Sequence, residues 1–203
     1  MSSNKRQIEI KKSADKAHQT IMGQNIDNEN LATYFKSVGL AVVNADLSDL
    51  AATAYTLYNM EKDQPQIIVE NTLNHRDWIY MLAKELGQLI LGWDYQVNQD
   101  NPQVVERLRQ EANQIDGIAI LDYPFSDGSG QCPTNNPTEA EANLFAEQFL
   151  VPSATARPIL QDLDWQTLST AQLIQKFSLI YFINDQIARN RLTTLIQEVS
   201  QSK

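Results

Sequence analysis

The sequence predicts an α+β fold dominated by helices, with a small three-stranded sheet before its midpoint and closing helices at its carboxy-terminal end. Three observations predict it. Trp78 to Leu91 is a run of fourteen residues in which every side chain is apolar, glycine or tyrosine except Lys84, Glu85 and Gln88. Ahead of it lie three short runs of strand character. Behind it, from Glu139 to Val199, apolar residues recur at helical spacing.

In chain order, residues 1–25 are polar and are expected to form a flexible segment outside the core. Residues 26–200 then read as one domain. Asn28 to Ser37 suits a short helix that ends at Gly39, and Leu40 to Asn44 a strand. Ala51 to Asn59 sets Ala52, Ala54, Thr56 and Tyr58 against Tyr55 and Leu57, the alternation of a strand with two unlike faces. The turn residues Lys62-Asp63-Gln64-Pro65 lead into a strand over Gln66 to Glu70. The apolar helix follows, with Asn74 placed to cap it, Asp77 three residues on and Gly92 as the stop. An insert spans 93–138: a helix over Pro102 to Ile115, a strand over Gly117 to Tyr123, and a loop from Ser126 to Asn136. That loop holds Cys132, which lacks an obvious basic partner and reads as a bystander thiol rather than a nucleophile. By composition the loop is expected to be mobile unless docked, with a lid or partner-binding segment as the alternative. After the helix beginning at Glu139, the residues Leu173, Phe177, Ile183, Ile187, Leu192, Leu195 and Val199 mark closing helices that face the core.

Composition bounds the function. At 203 residues and 42% hydrophobic the chain can bury one good core. A single cysteine and no apolar run after the basic start suit a cytoplasmic protein, and no stretch approaches the eighteen apolar residues of a membrane span. The net charge of −9 argues against a broad nucleic-acid surface. Five of the sixteen basic residues fall between Lys5 and Lys16, a pattern of a solvated terminus. In the closing region only Arg189 and Arg191 stand together, too few for a recognition helix.

The polar cluster of the apolar helix is the candidate site. At 100° per residue Lys84, Glu85 and Gln88 fall within one arc of about 100°, so a buried helix carries one polar patch that must face a cleft, a partner or itself. Lys84-Glu85-Leu86-Gly87-Gln88 has the spacing of HExxH, in which two histidines one turn apart bind zinc and the glutamate between them is the general base. Here lysine and glutamine hold the histidine places. An ammonium has no lone pair and an amide oxygen is a poor zinc ligand, so the metal is expected to be absent. Of the two histidines, His18 lies in the polar amino-terminal segment. His75 lies at the far end of the same helix, about 13 Å from position 84.

Downstream, Glu139-Ala140-Glu141-Ala142-Asn143-Leu144-Phe145-Ala146-Glu147-Gln148-Phe149-Leu150-Val151-Pro152 completes a pattern. Together the two segments resemble the ImmA/IrrE family of metallopeptidases, whose members pair AHELGHLIL-like and ExxANxFAxxLLMP-like helices. Ile67 to Asn71 resembles the strand before the first helix and Thr170 to Leu192 the closing helices, so the likeness covers roughly residues 28–196. The insert is longer than the family leads one to expect. The resemblance implies a zincin-like (gluzincin-like) domain, with Glu85 as a vestigial general base. It puts former zinc ligands at Lys84, Gln88 and Glu139, and Asn143 beside them. Glu141 is the rival to Glu139, but Glu139 shares an arc with Ala142, Asn143, Ala146, Phe149 and Leu150. The bland reading has Asn136 capping the helix, Pro137 at its first position and Glu139 as a capping-box residue.

These readings combine into an expected ion pair. The ammonium of Lys84 stands in for the cation, pairing with Glu139 and with Glu85, while Gln88 adds a neutral hydrogen bond. As a buried pair it would make Lys84→Ala cost about 3–5 kcal/mol; otherwise Lys84 reaches solvent and nothing fills the site. Three function classes follow. One is a catalytically inactive, peptidase-like pseudoenzyme that binds a protein partner; the resemblance suggests a helix-turn-helix repressor in a bacterial or phage regulatory circuit. The second is an active metal-dependent peptidase of such a repressor with non-standard ligands. The third is a DNA-associated regulator.

Overall fold

The computed structural model describes residues 3–50, 52–111, 114–115, 118–120, 137–163 and 165–201. Their order is α1 (Ser3–Ile21), α2 (Leu31–Ser37), β1 (Ala41–Ala45), β2 (Ala54–Asn59), β3 (Gln64–Glu70), α3 (His75–Trp93) and α4 (Pro102–Glu111). Then come β4 (Gln114–Ile115), β5 (Ile118–Ile120), α5 (Glu139–Leu150), α6 (Ser153–Asp162), α7 (Thr170–Ile180) and α8 (Asp185–Gln201). The class is α+β, with eight helices among the described residues. No helix among them is long and apolar enough to cross a membrane.

The three anticipated strands form a mixed unit: β1 runs parallel to β3, and β2 runs antiparallel to it, with Val43 and Tyr55 both in register with Ile68. The insert extends this unit, because the short β4–β5 hairpin pairs with β2 and makes the order β1-β3-β2-β5-β4. Alternation in β2 follows the sequence pattern. Ala54, Thr56 and Tyr58 are buried, while Tyr55 and Leu57 are half-buried.

Helix α3 covers the buried face of the sheet and α5 lies against α3. The Asn74 side chain accepts from Asp77 N–H at 3.1 Å, the anticipated cap. The helix does not stop at Gly92. It continues to Trp93 and is closed by Asp94 in the left-handed region at φ 56°. Gly92 serves a different end, since a Cβ there would stand 3.1 Å from Pro137 Cδ. Gly87 lets α5 approach in the same way, for its Cβ would lie 2.9 Å from Phe145 Cδ1.

The amino-terminal segment is the largest departure from the sequence reading. Instead of a flexible polar stretch, residues 3–21 form α1, which packs along α5. Ile10, Ala14, Ala17 and Ile21 make a stripe with no more than 6% exposure. Polar contacts hold its flanks: Arg6 Nε donates to Glu141 Oε1 at 2.8 Å, and Gln148 Nε2 to Asp15 Oδ1 at 2.7 Å. In the closing helices Leu173, Phe177, Ile183, Ile187, Leu192 and Leu195 lie in the same core cluster as read, while Val199 is only half-buried and outside it.

Candidate functional site between α3 and α5

Two polar rungs join α3 to α5. Lys84 Nζ donates to Glu139 Oε1 at 2.6 Å. One turn back along α3 and one turn on along α5, the Tyr80 hydroxyl donates to Asn143 Oδ1 at 2.7 Å. Residues four apart share a helix face, so the spacing 80/84 meets the spacing 139/143. Glu147 lies a further turn along α5 and accepts from Asn190 Nδ2 of α8 at 2.6 Å.

The carboxylates of this seam differ in depth, Glu139 standing at the surface and Glu147 half-buried. Burial raises the pKa of the Glu147 carboxyl above the ordinary range, opposed by the Asn190 hydrogen bond and the charge of Arg191. Burial pushes the Tyr80 phenol up to about 12, and the negative charges of Glu147 and Glu139 add to the shift. The phenol therefore stays protonated and serves as a donor across the working pH range.

Glu85 turns to the other side. It is 2% exposed and accepts from Thr56 Oγ1 of β2 at 2.9 Å. One residue step rotates a side chain by 100°, enough to send Lys84 toward α5 and Glu85 under the sheet. The glutamate that the resemblance puts at the general-base place thus lies buried beneath β2. Gln88 is half-buried one turn after Lys84.

The alternatives for Glu139 also resolve. Thr138, not Asn136, caps α5, and Glu141 is the capping-box partner: its Oε2 accepts from Thr138 N–H at 2.9 Å while Thr138 Oγ1 accepts from Glu141 N–H at 3.2 Å. Arg6 also holds Glu141, and its hydrogen bond does most to lower that carboxyl's pKa. Glu139 is left free of the cap and faces Lys84.

The depth of the pair differs from the expectation of an internal ion pair. The side chain of Lys84 is 16% exposed and that of Glu139 is 68% exposed, because Glu139 is the first residue of its helix and stands at the surface. Water screens such a pair, and exposed pairs contribute about 0.2–1 kcal/mol. Lys84→Ala is therefore expected to lower the unfolding free energy by no more than about 1 kcal/mol. Urea titration of the two proteins checks this; a loss of several kcal/mol would restore the internal pair.

His18 is not in a mobile polar segment. It is buried, with Nδ1 placed 2.7 Å from the Phe149 carbonyl oxygen, and Nε2 has no hydrogen-bond partner among the described residues. Burial lowers its pKa. His75 stays at the start of α3, where Nε2 lies 2.9 Å from the Glu29 carbonyl oxygen. Cys132 and its loop lie outside the described residues.

Neither the family models nor the curated proteins give a match to this chain. The chemistry must be judged from the donors themselves. Among the described residues no three His, Cys, Asp or Glu side chains converge as a bound metal would need. At the three positions that the resemblance marks for zinc, the groups are an ammonium, an amide and a carboxylate already bonded to that ammonium. They do not fit the ion. Sequence reading missed Tyr80, Glu147, Asn190 and Thr56. Tyr80 was marked only by its place one turn before Lys84, Glu147 by its place two turns after Glu139, and Thr56 by its inward phase in β2.

Proposed function

We propose that the chain is a catalytically inactive, zincin-like domain that acts by holding a protein partner. The observation that carries this reading is the Lys84–Glu139 ion pair, which sets a fixed positive charge against the carboxylate where the resemblance places a metal. The burial of Glu85 beneath Thr56 supports it, since a general base must face the reacting groups and this carboxylate is 2% exposed and turned under the sheet. The partner that the ImmA/IrrE resemblance suggests is a helix-turn-helix repressor in a bacterial or phage circuit, retained rather than cut.

Metal content decides between holding and cutting. After incubation with excess zinc and gel filtration, the protein is expected to carry less than about a tenth of an equivalent, because only one of three ligand positions holds a good zinc ligand. The double variant Lys84→His, Gln88→His restores the i, i+4 imidazole pair opposite Glu139 and is expected to carry about one equivalent. Near-stoichiometric zinc in the unaltered protein, lost on Glu139→Ala, would overturn the inactive reading in favour of a working peptidase. A rebuilt variant that stays metal-free would overturn the zincin-like reading of α3 and α5.

A further inference from the structure

Strand β1 borders the sheet. It pairs with β3 on one side, and no described strand lies on the other. The Ala45 carbonyl accepts from Asn71 N–H, on the β3 side, at 2.9 Å. Backbone groups of alternate residues in a strand point to opposite sides, so Val42 and Asn44 turn their N–H and C=O outward. Sheet edges are ordinarily guarded by charge, proline or a bulge. The five residues of β1, Ala-Val-Val-Asn-Ala, hold no charge and no proline.

The side chains tell the same story on the face of the sheet away from α3. Tyr55, Ile68 and Val43 stand in register across β2, β3 and β1. Ile68 is 6% exposed, and the row then ends in the open at Val43, which is 41% exposed. A strand that continued this row would carry an apolar residue opposite Val43 and outward-turned groups on either side of it. β1 itself, reversed, meets both conditions.

We propose that β1 pairs antiparallel with β1 of a second copy of this chain, about a two-fold axis at Val43. Val42 of each copy then faces Asn44 of the other, and each such pair exchanges two main-chain hydrogen bonds. Val43 meets Val43 as a non-hydrogen-bonded pair with Cα atoms about 4.5 Å apart. The apolar row runs unbroken from Tyr55 of one copy to Tyr55 of the other. A register shifted by one residue would set outward groups against inward ones and send the valines to opposite faces. The Asn44 side chain is already engaged, accepting from Trp78 Nε1 at 2.8 Å, which leaves the main chain to make the contact.

Analytical ultracentrifugation over a concentration series tests the contact, using the unaltered protein, Val43→Lys, Val43→Glu and an equimolar mixture of the two variants. The unaltered chain is expected to sediment as a dimer at the upper concentrations. Each variant alone is expected to be monomeric with unchanged circular dichroism, since like charges then oppose across the axis. The mixture is expected to dimerise again. Val43→Cys in a Cys132→Ser background is expected to cross-link on mild oxidation, the Cα separation lying within disulfide reach. A chain monomeric at every concentration overturns the proposal. So does a dimer that both single variants preserve, or an edge that captures a different protein while the chain itself stays monomeric.

Discussion

Phe149→Ala is expected to cost about 3–5 kcal/mol of folding free energy, the range for deleting a fully buried ring and leaving a cavity. The residue is 0% exposed and joins three helices. Its ring stacks on Phe145 of α5 with centroids 6.2 Å apart and planes at 9°. Phe35 of α2 meets it edge-on at 6.2 Å, and His18 of α1 at 5.6 Å. Its carbonyl is the partner of His18 Nδ1, so a backbone shift at this point also loosens α1. Alanine would leave space that no one of these helices can close alone. Urea unfolding gives the number, and a loss below about 1 kcal/mol would mean that the cluster collapses freely around the gap.

Arg191→Ala is expected to have a comparable effect, about 3–5 kcal/mol, because it empties a fully buried site and leaves buried acceptors without their donor. The guanidinium is 1% exposed. Its Nε and Nη2 donate to the Val151 carbonyl at 3.1 and 2.8 Å, and Nη2 also reaches Ser153 Oγ at 3.1 Å. These bonds tie α8 to the junction of α5 and α6. Burial lowers its pKa, while Glu198, Glu147, Asp15 and Tyr181 draw it back up. Removing the cation leaves a buried carbonyl and the raised carboxyl of Glu147 without their counterpart. Arg191→Lys is expected to recover only part of the loss, because an ammonium cannot reproduce the two-pronged contact with one carbonyl. Thermal and urea unfolding of both variants check the order; equal stability of Lys and wild type would show that charge alone matters there.

Much of the frame was legible because it is written in local period. The alternation of β2, the Asn74 cap and the shared arc of Glu139 and Asn143 are properties of one helix or strand at a time, and each survives in the structure. The approach of Lys84 to Glu139 was expected from the ImmA/IrrE resemblance, which puts both at one former metal position, with helical phase only favouring Glu139 over Glu141. How deep the pair sits was not legible, since a helical wheel gives a direction about an axis and not the distance to the surface. The same limit hid Glu85, which shares an arc with Lys84 yet falls on the sheet side of it. Helix α1 was illegible for another reason. Its buried stripe rests on Ala14 and Ala17, which add little apolar signal but allow close approach. Its polar residues are matched to Glu141 and Gln148, far along the chain.

That distance has a temporal side. His18 and its carbonyl partner on Phe149 are separated by 131 positions in the chain. A ribosome adding roughly 5–20 residues per second completes α5 on the order of ten seconds after α1 has been made. Until then the stripe of α1 lacks its main packing surface, and a lone helix of this length is marginal in water. The core must therefore close late, by capture of α1. Contacts so remote in sequence also slow folding. A nascent chain stalled before Glu139 would present α1 as an unfolded, protease-sensitive leader ahead of an unfinished core.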